Sequence, residues 1–149
     1  MSGQSACADI AEKRALLLAP LGKVPREVVG LLLAAETPLK PYDLLWRLQS
    51  VRGRPAPPST IYRALKVLVD AGLVHRIGMV GAYALCAAPG ERHQPAFLVC
   101  DHCAIVSEVD AVDAHRHIAR RIKGRRFACD QVSIVLRGAC ARCQAAMSR

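Results

Sequence analysis

Two cysteine pairs, Cys100-x-x-Cys103 and Cys140-x-x-Cys143, carry the strongest chemical signal in the sequence. Two residues between cysteines let both thiolates and nearby backbone N–H groups wrap one ion. Two such knuckles complete a tetrahedral shell of four thiolates that is closed to substrate. The 36 residues between Cys103 and Cys140 exceed what many compact ribbons use, so a helix must intervene. The competing reading is a redox dithiol, which wants one Cys-x-x-Cys at a helix start beside a strand. Two knuckles in one chain favour structural zinc.

A second set of candidate ligands stands between residues 75 and 108: His75, Cys86, His93 and Glu108. One thiolate, two imidazoles and a carboxylate are four ligands that zinc accepts, and the thiolate biases such a site away from manganese and iron. Spacing alone does not join them. A lone histidine on a strand is more often a satisfied polar group, and a lone cysteine a small core residue. His102, inside the first knuckle, reads as exposed; His115 and His117 read as part of a solvated helix face. Cys7 and Cys129 have no evident partner and read as free thiols.

The seven cysteines are an awkward number for a disulfide framework. The first 22 residues place Asp9, Glu12, Lys13 and Arg14 where a signal peptide would be apolar. The longest apolar run, Val28 to Ala35, is too short to span a bilayer. The expected compartment is therefore the reducing cytoplasm, where paired cysteines more often bind metal than cross-link.

The chain of 149 residues carries a net charge of +9. Between Lys40 and Arg76 there are seven cations against Asp43 and Asp70, a net +5 in one segment. Such a segment is either a solvated basic face or the footprint of a polyanionic partner. Apolar residues make up 52% of the chain and only six are aromatic, so Leu, Val, Ile and Ala must fill the core. A second domain of about 60 residues would be marginal alone and would want a metal, a partner subunit, or both.

These residues need elements to position them. Residues 1–8 read as disordered and 9–19 as a short helix ended by Pro20 and Gly22. A second helix begins near Pro25 and runs to Glu36, broken by Thr37 and Pro38. A third starts at Pro41, with Leu44, Leu45 and Leu48 on one face. The loop RGRPAPP (52–58) leads to a fourth, capped by Ser59 or Thr60. Ile61, Leu65 and Leu68 face inward on it, Tyr62, Arg63 and Lys66 outward, and Gly72 ends it in a left-handed cap. LVHRI and AYALC then read as two short strands. This is the pattern of a winged helix-turn-helix, whose recognition helix enters the major groove by its N-terminal residues. Here those are Ser59, Thr60, Tyr62 and Arg63. Arginine suits bidentate pairing with guanine, and the hydroxyls suit phosphates, although Tyr62 would serve equally in packing. Further on, 96–100 and 104–109 read as strands around the CDHC turn. Asp110 to Lys123 reads as a helix with Val112 and Ile118 inward, and 127–136 as a returning strand.

The stretch PPSTIYRALKVLVDAGLVHRI resembles the recognition-helix segment of the Fur family of metal-dependent repressors. HQPAFLVCDHCAIVSEVD resembles the entry to that family's dimerisation domain. Within the family the likeness is to the zinc uptake regulators. It spans about residues 20–143. Two departures stand out. Pro95 and Ala96 replace the His-x-His of the iron and peroxide sensors, and VPRE (24–27) replaces Thr-Pro-Gln-Arg. The resemblance implies a regulatory zinc site at His75, Cys86, His93 and Glu108, a structural one at Cys100, Cys103, Cys140 and Cys143, and DNA contacts from Ser59, Thr60, Tyr62, Arg63 and Lys66.

The expected fold is α+β. A winged helix-turn-helix DNA-binding domain (1–86) leads through a hinge (87–94) to a small α/β dimerisation domain (95–149) with a four-cysteine zinc site. The expected function is a zinc-responsive repressor, a homodimer holding about two Zn2+ per chain and binding double-stranded operator DNA. No membrane and no small-molecule substrate is expected. The rivals are a sibling sensor of another metal or peroxide, and a winged-helix protein with structural zinc only. An enzyme is not expected, because a zinc hydrolase needs an open coordination position with a base beside it, and no HExxH occurs.

Overall fold

The computed structural model describes residues 3–35 and 37–148, with side chains from Ala8 onward. The chain forms two compact units that divide between Glu91 and Arg92. The first holds α1 (Gly3–Leu18), α2 (Lys23–Leu33), α3 (Pro41–Arg52), α4 (Pro58–Asp70), β1 (Val74–Ile77) and β2 (Ala82–Leu85). The second holds β3 (Pro95–Cys100), β4 (Val106–Asp110), α5 (Val112–Ile122), β5 (Ile134–Gly138) and α6 (Ala141–Met147).

The core of the first unit is aliphatic. Val28, Val29 and Leu32 of α2, Leu44, Leu45 and Leu48 of α3, and Ile61, Ala64, Leu65 and Leu68 of α4 are buried together with Leu39, Leu73 and Val74. On α4 the buried residues recur at helical spacing, so Ser59, Tyr62, Arg63 and Lys66 are left on the exposed side. Gly72, at φ +69°, turns the chain from α4 into β1. The strands β1 and β2 pair antiparallel, with His75 opposite Ala84. Leu39 bridges to Tyr83 through two backbone hydrogen bonds of 3.1 and 2.8 Å, tying the ribbon to the chain that enters α3.

The second unit is a three-stranded sheet of order β4-β3-β5. The β3–β4 pair is antiparallel and the β3–β5 pair parallel, with Cys100 opposite Gly138. Its buried apolar side chains, Ala96, Phe97 and Val99, all come from β3. Asp110, one residue before the Ala111 N-cap of α5, accepts a 3.3 Å hydrogen bond from the Val112 N–H.

Several expectations are corrected. Residues 3–8 belong to α1 rather than to a disordered tail; residues 1 and 2 lie outside the described residues. The second helix ends at Leu33, and Glu36 lies outside the described residues. Helix α4 is opened by Pro57 and Pro58 rather than capped by Ser59 or Thr60; Thr60 is already in the first turn, its N–H on the Pro57 carbonyl at 2.9 Å. The last strand spans only Ile134–Gly138; Gly124 and Arg126 turn at positive φ, and residues 127–133 pair with no strand among the described residues. Phe127 is exposed. On α5, Ile118 is exposed and His115 is buried, both against expectation, whereas His117 is exposed as expected. The His115 Nε2 lies 3.2 Å from the Pro95 carbonyl, which satisfies the ring on the β3 side of the helix.

Leu68→Ala removes a fully buried side chain at the centre of the first core. It is expected to cost roughly 2–5 kcal/mol in chemical denaturation, whereas Leu33→Ala, more than half exposed, is expected to change stability by about 0.5 kcal/mol or less.

Candidate metal centres and nucleic-acid face

Cys100 ends β3, Cys103 sits in the turn before β4, Cys140 immediately precedes α6 and Cys143 lies in its first turn. Parallel pairing of β3 with β5 carries the chain after Gly138 back over the first knuckle, and the Asp101 N–H bonds the Gly138 carbonyl at 2.8 Å. All four sulfurs lie within 4.8 Å of one another. The Cys103 and Cys140 Sγ atoms are 3.7 Å apart. Zinc–sulfur bonds of about 2.3 Å in a tetrahedron require about 3.8 Å between sulfurs, so the cluster fits zinc.

The electrostatics agree. The Cys140 N–H, 3.3 Å from Cys100 Sγ, is the main cause that draws the Cys100 thiol down to about 6. The Ile105 N–H lowers Cys103. The hydrogen bond with the Cys140 thiol, then burial and the remaining sulfurs, pushes Cys143 up to about 12. Sulfurs this close resist joint ionisation unless a cation sits among them.

The second donor set falls on both units. In the first, the Cys86 N–H donates to the Leu73 carbonyl at 2.9 Å, extending the ribbon by one pair. Cys86 and His75 are therefore diagonal neighbours on one face of the ribbon, a relation that lets long side chains meet. A ring nitrogen of His75 and the Cys86 sulfur lie within 4.8 Å. Cys86 is fully buried. In the second unit, His93 precedes β3 and Glu108 lies on β4, opposite Phe97. Their Nε2 and Oε1 atoms are 2.8 Å apart, and both side chains are largely covered.

On the first unit, Ser59, Tyr62 and Arg63 are exposed along the first turns of α4 and Thr60 is half-buried. Lys66 is exposed but pairs with Asp70 at 2.8 Å, one turn away. Glu27 forms an ion pair with Arg52, whose guanidinium holds the Glu27 carboxyl below its ordinary range. Arg26 donates to the Ala19 carbonyl at 2.7 Å. The VPRE segment thus serves to join α2 to its neighbours.

The sequence profile of the ferric uptake regulators matches residues 26–137. The chain belongs to the ferric uptake regulator family. Over 120 residues it is 32% identical to the zinc uptake regulation protein of Escherichia coli (strain K12), an overlap of 78% of this chain and 68% of that protein. A solved zinc uptake regulator complexed with zinc and DNA matches with a TM-score of 0.81 at 28% identity, covering 100% of this chain and 99% of that one. The holo form of XcZur matches with a TM-score of 0.73 at 31% identity, over 84% and 86% of the two chains.

Two features of this family member escaped the sequence reading. Between Arg116 and Arg126 stand six cations and no acid, a denser basic run than that of the helix-turn-helix segment. Only a charge count over the whole chain finds it. The other is α1, whose Lys13 and Arg14 reach Glu91 and Cys86 across more than 70 residues of sequence, a contact with no local signal.

Cys100→Ser is expected to lose the zinc of the four-cysteine site and to lower the melting temperature of the second unit, read by zinc content after dialysis and by calorimetry. Cys129→Ser, at an exposed sulfur outside the cluster, is the matched control and is expected to change neither.

Proposed function

We propose that this protein is a zinc-responsive DNA-binding repressor of zinc-uptake genes, a cytoplasmic homodimer that binds double-stranded operator DNA and is not an enzyme. The observation that carries this reading is the division of the second donor set. One imidazole and one thiolate stand together in the unit that holds α4, and one imidazole and one carboxylate stand together in the other. The likeness to the Escherichia coli zinc uptake regulation protein, and to a zinc uptake regulator solved with zinc and DNA, supports it.

Zinc held by His75, Cys86, His93 and Glu108 would supply a closed four-ligand shell with no open position for a substrate. With the four-cysteine site this makes about two zinc ions per chain. His75 and Cys86 belong to a ribbon that follows α4 after a single turn, so the orientation of the ribbon is the orientation of the recognition helix. Residues 87–94 act as the hinge between domains 1–86 and 95–149. Ligation from both sides of the hinge fixes the angle between the domains.

In a homodimer that angle sets the spacing of the two α4 helices, which must meet half-sites about one helical turn apart. Ligation thus favours the DNA-competent arrangement through its higher affinity for it, and by reciprocity operator DNA tightens zinc binding by the same factor. Leu98, Val109 and Leu136, each at least 40% exposed on a sheet with little core of its own, support a second copy as the cover. Ser59, Thr60, Tyr62, Arg63 and Lys66 are the DNA-contacting residues of this reading, with Arg63 the reader of bases.

The test is operator affinity across a series of buffered free-zinc concentrations at fixed salt, since phosphate contacts alone make affinity salt-dependent. Affinity is expected to rise steeply with zinc and little with ferrous iron. Equal affinity at every zinc level would leave zinc a purely structural part. Cys86→Ser is expected to abolish the zinc response while keeping the dimer. Arg63→Ala is expected to weaken operator binding by roughly 1–3 kcal/mol, read at saturating zinc.

A further inference from the structure

Helix α1 lies against the segment that leaves β2. Leu16 and Leu17 line a hollow of about 290 Å³ with Pro89, Gly90 and Glu91. Gly90 has φ +80°, a turn that favours glycine, while a Cβ there would make only ordinary contact with Leu17 Cδ1 at 3.5 Å. Lys13 Nζ bonds Glu91 at 3.0 Å and Asp9 at 3.4 Å. Those pairs are exposed, and solvent screening leaves them weak.

The Arg14 contact differs in kind. Its Nη2 donates to the Cys86 carbonyl at 3.2 Å in a part-buried setting. Its Nε is buried and has no hydrogen-bond partner among the described residues. A buried N–H without a partner is costly, and an arginine free to choose would turn it to water. Among the described residues, the guanidinium directs a hydrogen bond onto the backbone of Cys86.

We propose that Arg14 is a positioning residue of the sensing site: it clamps the Cys86 peptide and thereby holds the Cys86 thiol for metal. This rests on the zinc-sensing reading above. The bond fixes the carbonyl on one side of Cys86 while the Leu73 carbonyl fixes its N–H on the other. The main chain that carries the thiol is thus held at both ends. Groups that orient a metal ligand commonly contribute 10- to 100-fold to metal affinity.

The experiment is a cobalt(II) titration of full-length protein whose four-cysteine site is already filled with zinc. The thiolate-to-cobalt charge-transfer band is followed in the wild type, Cys86→Ser, Arg14→Ala, Arg14→Lys and Leu17→Ala. The wild type is expected to show a band that Cys86→Ser lacks. Arg14→Ala should keep the band but bind cobalt at least about tenfold more weakly. Arg14→Lys should recover part of the loss, and the structural zinc should be retained throughout. Arg14→Ala within twofold of wild type would overturn the proposal and leave the sensing reading intact. An equal loss in Leu17→Ala, which disturbs α1 packing but keeps the guanidinium, would overturn it too. No Cys86-dependent band in the wild type would overturn both.

Discussion

The hydrogen bond from the Cys140 N–H to the Cys100 sulfur joins the end of β3 to the start of α6, and the rest of the second unit is arranged around that junction. A unit that begins at Arg92 and, among the described residues, buries three apolar side chains beyond its cysteines has little core with which to repay the entropy of ordering its own chain. Four thiolates on one zinc would supply what the core does not, because metal affinity of a site absent from the unfolded chain is folding free energy. The parallel β3–β5 pairing follows from this. It is the connection that returns the second knuckle to the first, with α5 as the crossover.

The first unit solves the opposite problem. Its aliphatic core runs through α2, α3, α4 and the start of β1, and that core alone is enough to place α4. Since α4 buries Ile61, Ala64, Leu65 and Leu68, the rotation of the helix is set, and with it the outward aim of Ser59, Tyr62 and Arg63. The Leu39–Tyr83 bridge and the Cys86–Leu73 hydrogen bond then carry the same rigidity out along the ribbon to the histidine–cysteine pair. The His75–Cys86 pair and α4 are parts of one packed body.

Most of this was legible where the signal is local. The cysteine spacing announced the four-sulfur cluster, and the i, i+4, i+7 pattern of Ile61, Leu65 and Leu68 announced the buried face of α4. The sequence reading failed where burial is decided by distant chain. Val112 and Ile118 suggested an apolar stripe on α5, yet the buried residue is His115, satisfied by the Pro95 carbonyl 20 residues away. Phe127 suggested a strand, but Gly124 and Arg126 turn the chain before it and leave the ring exposed. The grip of α1 on Cys86 spans 72 residues and has no periodicity to betray it. The reading of His75, Cys86, His93 and Glu108 as one site came from family resemblance, since spacing alone leaves each a common structural residue.

The proposed division of labour between the two zinc sites has an energetic logic. Allosteric coupling between an effector and DNA is typically about 1–3 kcal/mol, whereas a structural zinc supplies on the order of 10–16 kcal/mol. A single site serving both ends would make a repressor whose fold fails whenever zinc is scarce. Four thiolates in the second unit allow the fold to keep its metal when free zinc is low. In the proposed reading, a mixed site with one thiolate, each unit holding its ligands independently, would empty without unfolding either. What emptying would release is only the constraint on the hinge, and a free-energy change of that size is what a switch between bound and unbound operator requires.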